Sequence, residues 1–317
     1  MQKNMRSRRS KMDEESGYAA DFFGAIPEGF VAKALSLTSP RDACRLSLVC
    51  SFFRSAAEWD DVWESFLPPE YRRITEEDGG RSLSFRSKKQ LYLRLCDHPI
   101  IIDGGNKSFN LDKHTGKKCY MLAARDLSIV WGDTPRYWRW VSLPESRFKE
   151  VAELISVCWL EVHGRICTSM LSPNTVYVAF MVFKTTSETH GFDNQPTEVS
   201  MGINGLESQT HTVFLDPEGG GARRRYPVVT RRGLGMLLRG REPNPNLTRS
   251  PNPVTVSSND KVPKQREDGW VEIELGEYLV KGGEGELVMS MKEVKGRNWK
   301  GGLVIQGIEV RPKPSIS

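Results

Sequence analysis

The segment 124–140 constrains the fold more than any other, because it holds three of the eight tryptophans of the 317-residue chain. Leu127–Trp131 is predicted as a strand, and Gly132–Pro135 as the turn that follows it. In the extended run after the turn, alternation places Trp138 and Trp140 on one face. Tryptophan is large and costly to expose, so the cluster indicates either the core of a β-sandwich or an aromatic surface that stacks on sugar rings. The segment alone favours neither.

Length and composition favour one large domain or two modest ones, with 38% hydrophobic residues to fill a core. No apolar run approaches the roughly 20 residues of a membrane span. The basic residues near the N-terminus are not followed by the apolar segment of a signal peptide. The six cysteines form no CxxC pair, which favours a reducing compartment. We therefore expect a location in the cytoplasm and nucleus, without membrane contact.

Residues 21–69 have the apolar spacing of a small helical module, after a polar tail at 1–20 that we expect to be disordered. Ser39 is placed to cap a helix, with Pro40 at its first position and Asp42 reaching back toward the cap. Ser51 is placed to cap the next helix. A module of about 45 residues is small for an independent core, so we expect a partner to complete it.

Four motifs of this module resemble the F-box: Ile26-Pro27-Glu28-Gly29, Pro40-Arg41-Asp42-Ala43-Cys44-Arg45-Leu46-Ser47-Leu48-Val49-Cys50, Phe53-Arg54 and Trp63. Ile26 replaces the usual leucine and Phe53 a common tryptophan, and both keep the apolar bulk. The resemblance implies docking on a Skp-family adaptor within a cullin–RING ubiquitin ligase. The docking residues it implies are Ile26, Pro27, Phe30, Val31, Leu35, Pro40, Leu46, Val49, Cys50 and Phe53. The alternative is an amphipathic three-helix cap on the rest of the chain.

The remainder of the chain has the pattern of an antiparallel β-sandwich. A charged linker is expected at 70–88 and a short helix at 89–96. The segments predicted as strands are 157–162, 176–183, 212–215, 270–275, 285–291 and 303–310. The first two are apolar on both faces, as in a strand buried between layers. In the fourth, Glu272 and Glu274 alternate with apolar residues, which predicts one solvent-exposed face. The fold class is therefore α+β with two domains: a small all-α module, then a jelly-roll-like β-sandwich.

The sandwich region resembles the phloem-protein-two lectin family of plants, typified by the tobacco agglutinin, over residues 90–312. The motifs that carry the resemblance are 117–138, 150–154, 158–161, 268–273 and 299–312. It implies a lectin domain at 89–312, with a short tail at 313–317, that binds N-acetylglucosamine oligomers or the core of N-glycans. The family's sugar-site residues fall on Trp131, Trp138, Glu286 and Glu293. The two glutamates are seven residues apart and would point to opposite faces of a regular strand. Either one lies past a bulge or strand end, or the transfer of these positions is wrong.

An insertion at 216–266 interrupts the sandwich pattern. It contains seven prolines and six glycines, which predicts a disordered loop, and eleven Lys/Arg against four Asp/Glu. The favoured interpretation is a solvated basic loop, and the second interpretation is that the same residues act as a nuclear-localisation signal. Nucleic-acid binding is not favoured, because only Tyr226 lies among the arginines.

The sequence contains no motif for catalysis, for a metal or for a cofactor. Its five histidines are isolated, and His163 is interpreted as a residue at the end of a surface strand. We therefore expect a non-catalytic adaptor that brings target proteins to a Skp–cullin–F-box ubiquitin ligase. If the sugar site is intact, the adaptor is expected to recognise these targets through their glycans. The alternatives are an F-box adaptor that recognises protein surfaces without sugar, and a free nucleocytoplasmic lectin.

Overall fold

The computed structural model describes residues 26–77, 85–193, 195–204, 206, 209–215, 228–229 and 262–314. The chain divides into two compact units: residues up to 100 together with 109–118, and residues 101–108 together with 119 onward. The tail predicted at 1–20 lies outside the described residues, as do positions 216–227 and 230–261 of the predicted insertion.

The first unit is helical. Its helices are α1 (Glu28–Ser36), α2 (Pro40–Leu46), α3 (Ser51–Ala57), α4 (Asp60–Glu64), α5 (Tyr71–Glu77) and α6 (Lys88–Asp97). The start of α2 is confirmed, since the Ser39 hydroxyl oxygen accepts the backbone N–H of Asp42 at 3.1 Å. Ser51 is the first residue of α3 and Cys50 holds the N-cap position, so the predicted cap was one residue late.

Helix α6 completes the core of the first unit. The Trp63 ring is buried, donates its indole N–H to the Ala57 carbonyl at 2.7 Å, and lies 5.3 Å from the Tyr92 ring of α6. The expected linker at 70–88 contains α5, whose Tyr71 and Ile74 are buried. The lectin domain was expected to begin at residue 89, but α6 belongs to the first unit. The chain itself thus supplies helices that cover the core of the module.

Two mostly antiparallel sheets make up most of the second unit. The strands are β1 (Ile100–Ile102), β2 (Lys107–Leu111), β3 (Lys118–Ala123), β4 (Ser128–Ile129), β5 (Trp138–Val141), β6 (Val151–Leu154), β7 (Leu160–Cys167), β8 (Thr175–His190), β9 (Pro196–Ile203), β10 (Gln209–Phe214), β11 (Val228–Val229), β12 (Lys264–Gln265), β13 (Val271–Val280), β14 (Glu286–Glu293) and β15 (Gly301–Pro312). The larger sheet has the order β1-β2-β3-β15-β8-β13-β12, with β6 paired to β15 and β5, and β11 parallel to β8. The smaller sheet has the order β10-β9-β14-β7-β4.

The two sheets pack face to face, which confirms the antiparallel sandwich. A Cβ atom added to Gly164 of β7 would lie 2.8 Å from the Ile308 side chain of β15. Because glycine has no side chain, β7 of the smaller sheet can pack closely against β15 of the larger sheet at this point. Strands β8 and β15 lie inside the larger sheet, as the apolar run at 176–183 predicts. The strand predicted at 157–162 was expected to be buried on both faces. The structure differs from this, because β7 begins at Leu160 and carries Glu161 on a face that is open to solvent.

A buried ion cluster covers one position that was expected to face solvent. Glu272 is buried, and its carboxylate accepts hydrogen bonds from Arg266 at 2.8 Å and from Arg311 at 2.6 Å. Arg266 also donates to Glu309 at 2.6 Å. Burial raises the pKa of Glu309, but the bond from Arg266 and the charges of Arg147 and Arg311 outweigh it and lower the pKa to about 2. The last residues of the predicted insertion are therefore part of the sandwich.

None of the helices in the described part of the chain has the length and apolar composition required to cross a membrane.

Candidate functional site

Large apolar side chains are exposed on the helical unit. They are Phe30 (69% exposed), Leu37 (77%), Leu48 (76%) and Val49 (65%). Leu37 follows α1, and Leu48 and Val49 lie in the turn after α2, whose backbone N–H groups bond to Arg45 and Leu46. A Cβ atom added to Gly29 would lie 3.6 Å from the Trp59 ring. This ring therefore packs against α1 at the residue that precedes Phe30. Exposed apolar side chains at this density on a small unit indicate a protein-binding surface.

The residues that the F-box resemblance implies divide into three groups. Pro27, Phe30 and Val49 are exposed, and Ile26, Leu46, Cys50 and Phe53 are partly buried. Val31, Leu35 and Pro40 are buried in the unit, where an adaptor does not reach them in this conformation. Leu37 and Leu48 were missed. Leu48 lies inside the F-box motif at 40–50 but was not among the docking residues expected from it. Leu37 is an isolated leucine just beyond α1, which helical periodicity does not select.

The tryptophan segment forms an ordered loop after β4. The Gly132 N–H bonds to the Ile129 carbonyl at 2.9 Å, and the Thr134 N–H bonds to the Trp131 carbonyl at 2.9 Å. Trp131 has a φ of 57°, in the left-handed region that bulky residues rarely adopt. Its ring is 45% exposed and packs against Tyr137 at 5.3 Å between centroids. A strained residue that presents an aromatic ring to solvent is a candidate for ligand contact.

Trp138 lies beneath this loop. Its ring is 2% exposed, and its indole N–H donates to the Val130 carbonyl at 3.2 Å. Trp140 donates in the same way to the Gly132 carbonyl at 3.2 Å, which confirms that the two rings share a face. The Arg125 guanidinium covers the Trp140 ring at 3.6 Å. The expectation that Trp138 stacks on a sugar is therefore corrected: its ring packs in the core, and of the two expected rings only Trp131 is exposed.

Glu286 and Glu293 lie at opposite ends of β14. The pairing of β14 with β7 is continuous from Glu286 to Glu293, so no bulge turns them to one face. The two positions are seven residues apart along the strand, which corresponds to a distance of about 23 Å. Glu286 is on the surface and bonds to Arg165 at 3.1 Å and to Asn204 at 2.9 Å.

Glu293 is buried and pairs with the buried ammonium group of Lys300. It also accepts the Gly296 N–H at 3.0 Å. The two glutamates cannot share one sugar site, and Glu293 has a structural role.

The outer face of β7 carries a polar cluster that the sequence analysis did not find. The Glu161 carboxylate accepts the Trp159 indole N–H at 2.8 Å, lies 2.8 Å from His163 Nε2, and pairs with Lys292 at 3.1 Å. Burial raises the pKa of Glu161, but these three partners outweigh it and lower the pKa to about 2. Trp159 is 44% exposed. The period-two spacing of Trp159, Glu161 and His163 was the available signal; His163 lies within the strand and not at its end.

A groove of about 210 Å³ lies beside this cluster, on the outer face of the smaller sheet. His163, Lys292, Ser200 and Ser290 contribute to its lining, together with the apolar Val288. The hydroxyl oxygens of Ser200 and Ser290 are 2.7 Å apart. Among the residues that the structure describes, no group of three or more His, Cys, Asp or Glu side chains is arranged to hold a metal ion.

Both units match known families. A family model described as the F-box domain matches residues 25–65, and one described as Phloem protein 2 matches residues 117–312. F-box protein PP2-B1 of Arabidopsis thaliana is 39% identical to this chain, over 96% of this chain and 94% of its own length. Putative F-box protein PP2-B12 of the same plant is 42% identical, over 91% and 97%. A xylan-binding domain of Paenibacillus barcinonensis matches at 10% identity over 61% and 85%, with a TM-score of 0.26 that supports no inference.

The helical unit with its exposed apolar residues and the two-sheet sandwich define an F-box protein with a C-terminal β-sandwich. The two family models and the relatives together cover most of the chain, and this coverage assigns the chain to a family. The chain belongs to the plant F-box proteins that carry a Phloem protein 2 domain.

Proposed function

We propose that this chain is the substrate-recognition subunit of a Skp–cullin–F-box ubiquitin ligase. The observation that carries the proposal is the exposure of Phe30, Leu37, Leu48 and Val49 on an F-box unit whose own core is already covered by α6. A Skp-family adaptor would bury these side chains. Removal of one such side chain from water is favourable by about 1.5–3 kcal/mol, before the entropic costs of association are subtracted. In this role the chain positions a target and catalyses no reaction itself.

The lectin-like sandwich would capture the target. The Trp131 ring is held toward solvent by a strained backbone, which supports contact with the apolar face of a sugar. We propose N-acetylglucosamine oligomers or the core of an N-glycan as its ligand. We also propose a location in the cytoplasm and nucleus, where the six free thiols would stay reduced.

One observation favours a second candidate, an F-box adaptor that recognises a protein surface without sugar. Trp138 and Glu293, two of the four expected sugar contacts, are buried in the sandwich. If Trp131 packs against a protein partner, no glycan is required for target capture.

Adaptor binding is tested with the full-length chain and a purified Skp-family adaptor by isothermal titration calorimetry. Leu48→Asp and Phe30→Asp should each weaken binding by roughly 10- to 100-fold, because each puts a charge in place of an exposed apolar side chain that the adaptor would bury. Leu279→Asp replaces an exposed leucine of the sandwich and is the matched control, with no expected change. Wild-type affinity in both F-box variants would contradict the proposal.

Glycan capture is tested by binding of the full-length chain to a glycan panel. Trp131→Ala should abolish retention on N-acetylglucosamine oligomers while circular dichroism stays unchanged. Trp59→Ala removes an exposed ring from the F-box unit and should have no effect. No glycan retention by the wild type, combined with binding to a deglycosylated target, would favour recognition of a protein surface.

A further inference from the structure

One row of polar side chains crosses the whole smaller sheet. Its members lie directly opposite one another on consecutive strands, and therefore share a face: Ser128 of β4, His163 of β7, Ser290 of β14, Ser200 of β9 and Thr210 of β10. Five neighbouring strands span about 19 Å. The row is long enough for a short chain of sugar rings, and three of its members line the groove described above.

The charged residues beside the row are paired with one another. Glu161 and Lys292 pair at 3.1 Å on one side of the row, and Arg165 and Glu286 pair at 3.1 Å on the other. Because opposite charges balance, the face offers no excess charge to an ionic ligand. The row itself offers hydroxyl groups, which both donate and accept hydrogen bonds.

The groove also contains apolar surface. Val288 lies in it between the polar groups, and Leu206 at its margin is exposed. A pyranose ring has this combination, with hydroxyl groups around its edge and C–H groups on its faces. Glu161 holds the exposed Trp159 indole, His163 and Lys292 together, so it sets the geometry of one end of the groove.

We propose that the polar row is a binding site for a neutral oligosaccharide, whose chain lies across the strands of the smaller sheet. The inference rests on the proposed glycan recognition and adds a site for it at Ser200, Ser290 and Lys292. Ser200 and Ser290 donate and accept hydrogen bonds with the sugar hydroxyls, and Lys292 donates to a ring substituent. Glu161 is a positioning residue.

The test uses the full-length chain and tri-N-acetylchitotriose, with isothermal titration calorimetry as the readout. Loss of hydrogen bonds to the sugar should weaken binding roughly tenfold in the double variant Ser200→Ala/Ser290→Ala and in Lys292→Met. Lys313→Met is the matched control, because Lys313 is also an exposed lysine paired with a glutamate, Glu277, but lies at the end of the larger sheet. Its affinity should equal that of the wild type. Melting temperatures verify that all variants are folded.

The outcomes separate this inference from the proposed function. If Trp131→Ala abolishes binding while the groove variants bind as the wild type does, glycan recognition stands and the polar row is not its site. If the wild type binds no N-acetylglucosamine oligomer and no other glycan of the panel, both proposals fail. A loss in the groove variants with unchanged binding in Lys313→Met supports the row.

Discussion

Replacing Lys300 with methionine should destabilise the sandwich strongly. Its ammonium group is fully buried, pairs with the buried Glu293 carboxylate, and donates to the Cys158 carbonyl at 3.1 Å. Methionine keeps the length of the side chain but removes the charge, so Glu293 is left as an uncompensated buried carboxylate. Removal of one partner of a buried ion pair costs about 3–5 kcal/mol.

The double variant Lys300→Met/Glu293→Gln should recover most of this loss. Replacement of both charges leaves no uncompensated ion, and glutamine still accepts a bond from the Gly296 N–H. For a unit of this size, 3 kcal/mol corresponds to a fall in melting temperature of roughly 6–12 °C. The assay is thermal unfolding of the four proteins of the double-mutant cycle, followed by near-ultraviolet circular dichroism.

The same experiment decides the role of Glu293. A structural role predicts that Glu293→Gln lowers the melting temperature and that the cycle shows a large coupling energy. If Glu293→Gln melts as the wild type does but loses glycan binding, the reasoning from burial is refuted and Glu293 is a sugar contact.

Three further predictions concern local structure. Ser39→Ala should cost the helical unit about 1 kcal/mol in urea unfolding, because it removes the cap of α2; an unchanged midpoint would contradict the cap. Gly191→Ala should destabilise the sandwich by more than about 1 kcal/mol in the same assay, because φ of Gly191 is 78° and the added Cβ would collide with the Trp299 carbonyl oxygen. Gly104→Ala is its control, since Gly104 also has a positive φ but has open space around the added Cβ. The lowered pKa of Glu309 contributes stability that is present above its ordinary value of 4.5 and is lost as the pH falls toward 2. Glu309→Gln should therefore melt lower at pH 7 and lose less stability between pH 4.5 and 2, and parallel curves for the two proteins would contradict this.

The sequence predicts features whose causes lie within a few residues. Ser39, Pro40 and Asp42 specify the start of α2 through local capping, and the structure has it there. Alternation puts Trp138 and Trp140 on one face, and both indoles bond to the same loop. The type and approximate position of the main sandwich strands follow from the same short-range patterns.

The features that could not be predicted from the sequence depend on contacts between distant segments of the chain. Alternation places Glu272 on a solvent face, but Arg311, 39 residues along the chain, covers it. Trp138 is buried because the loop after β4 folds over its ring, and periodicity does not say which face a loop will cover. The polar row requires the register of five strands, of which only β9 and β10 follow each other along the chain, so no single segment shows it.

The most direct test of the central claim is ubiquitin transfer in a reconstituted ligase. The full-length chain is combined with a Skp-family adaptor, a cullin, a RING protein and ubiquitin-charged E2, and is given one glycoprotein with and without its N-glycans. We expect modification of the glycosylated form, inhibition by tri-N-acetylchitotriose, and loss of modification with Leu48→Asp. Equal modification of both forms would contradict glycan recognition, and undiminished modification with Leu48→Asp would contradict docking through the exposed F-box residues.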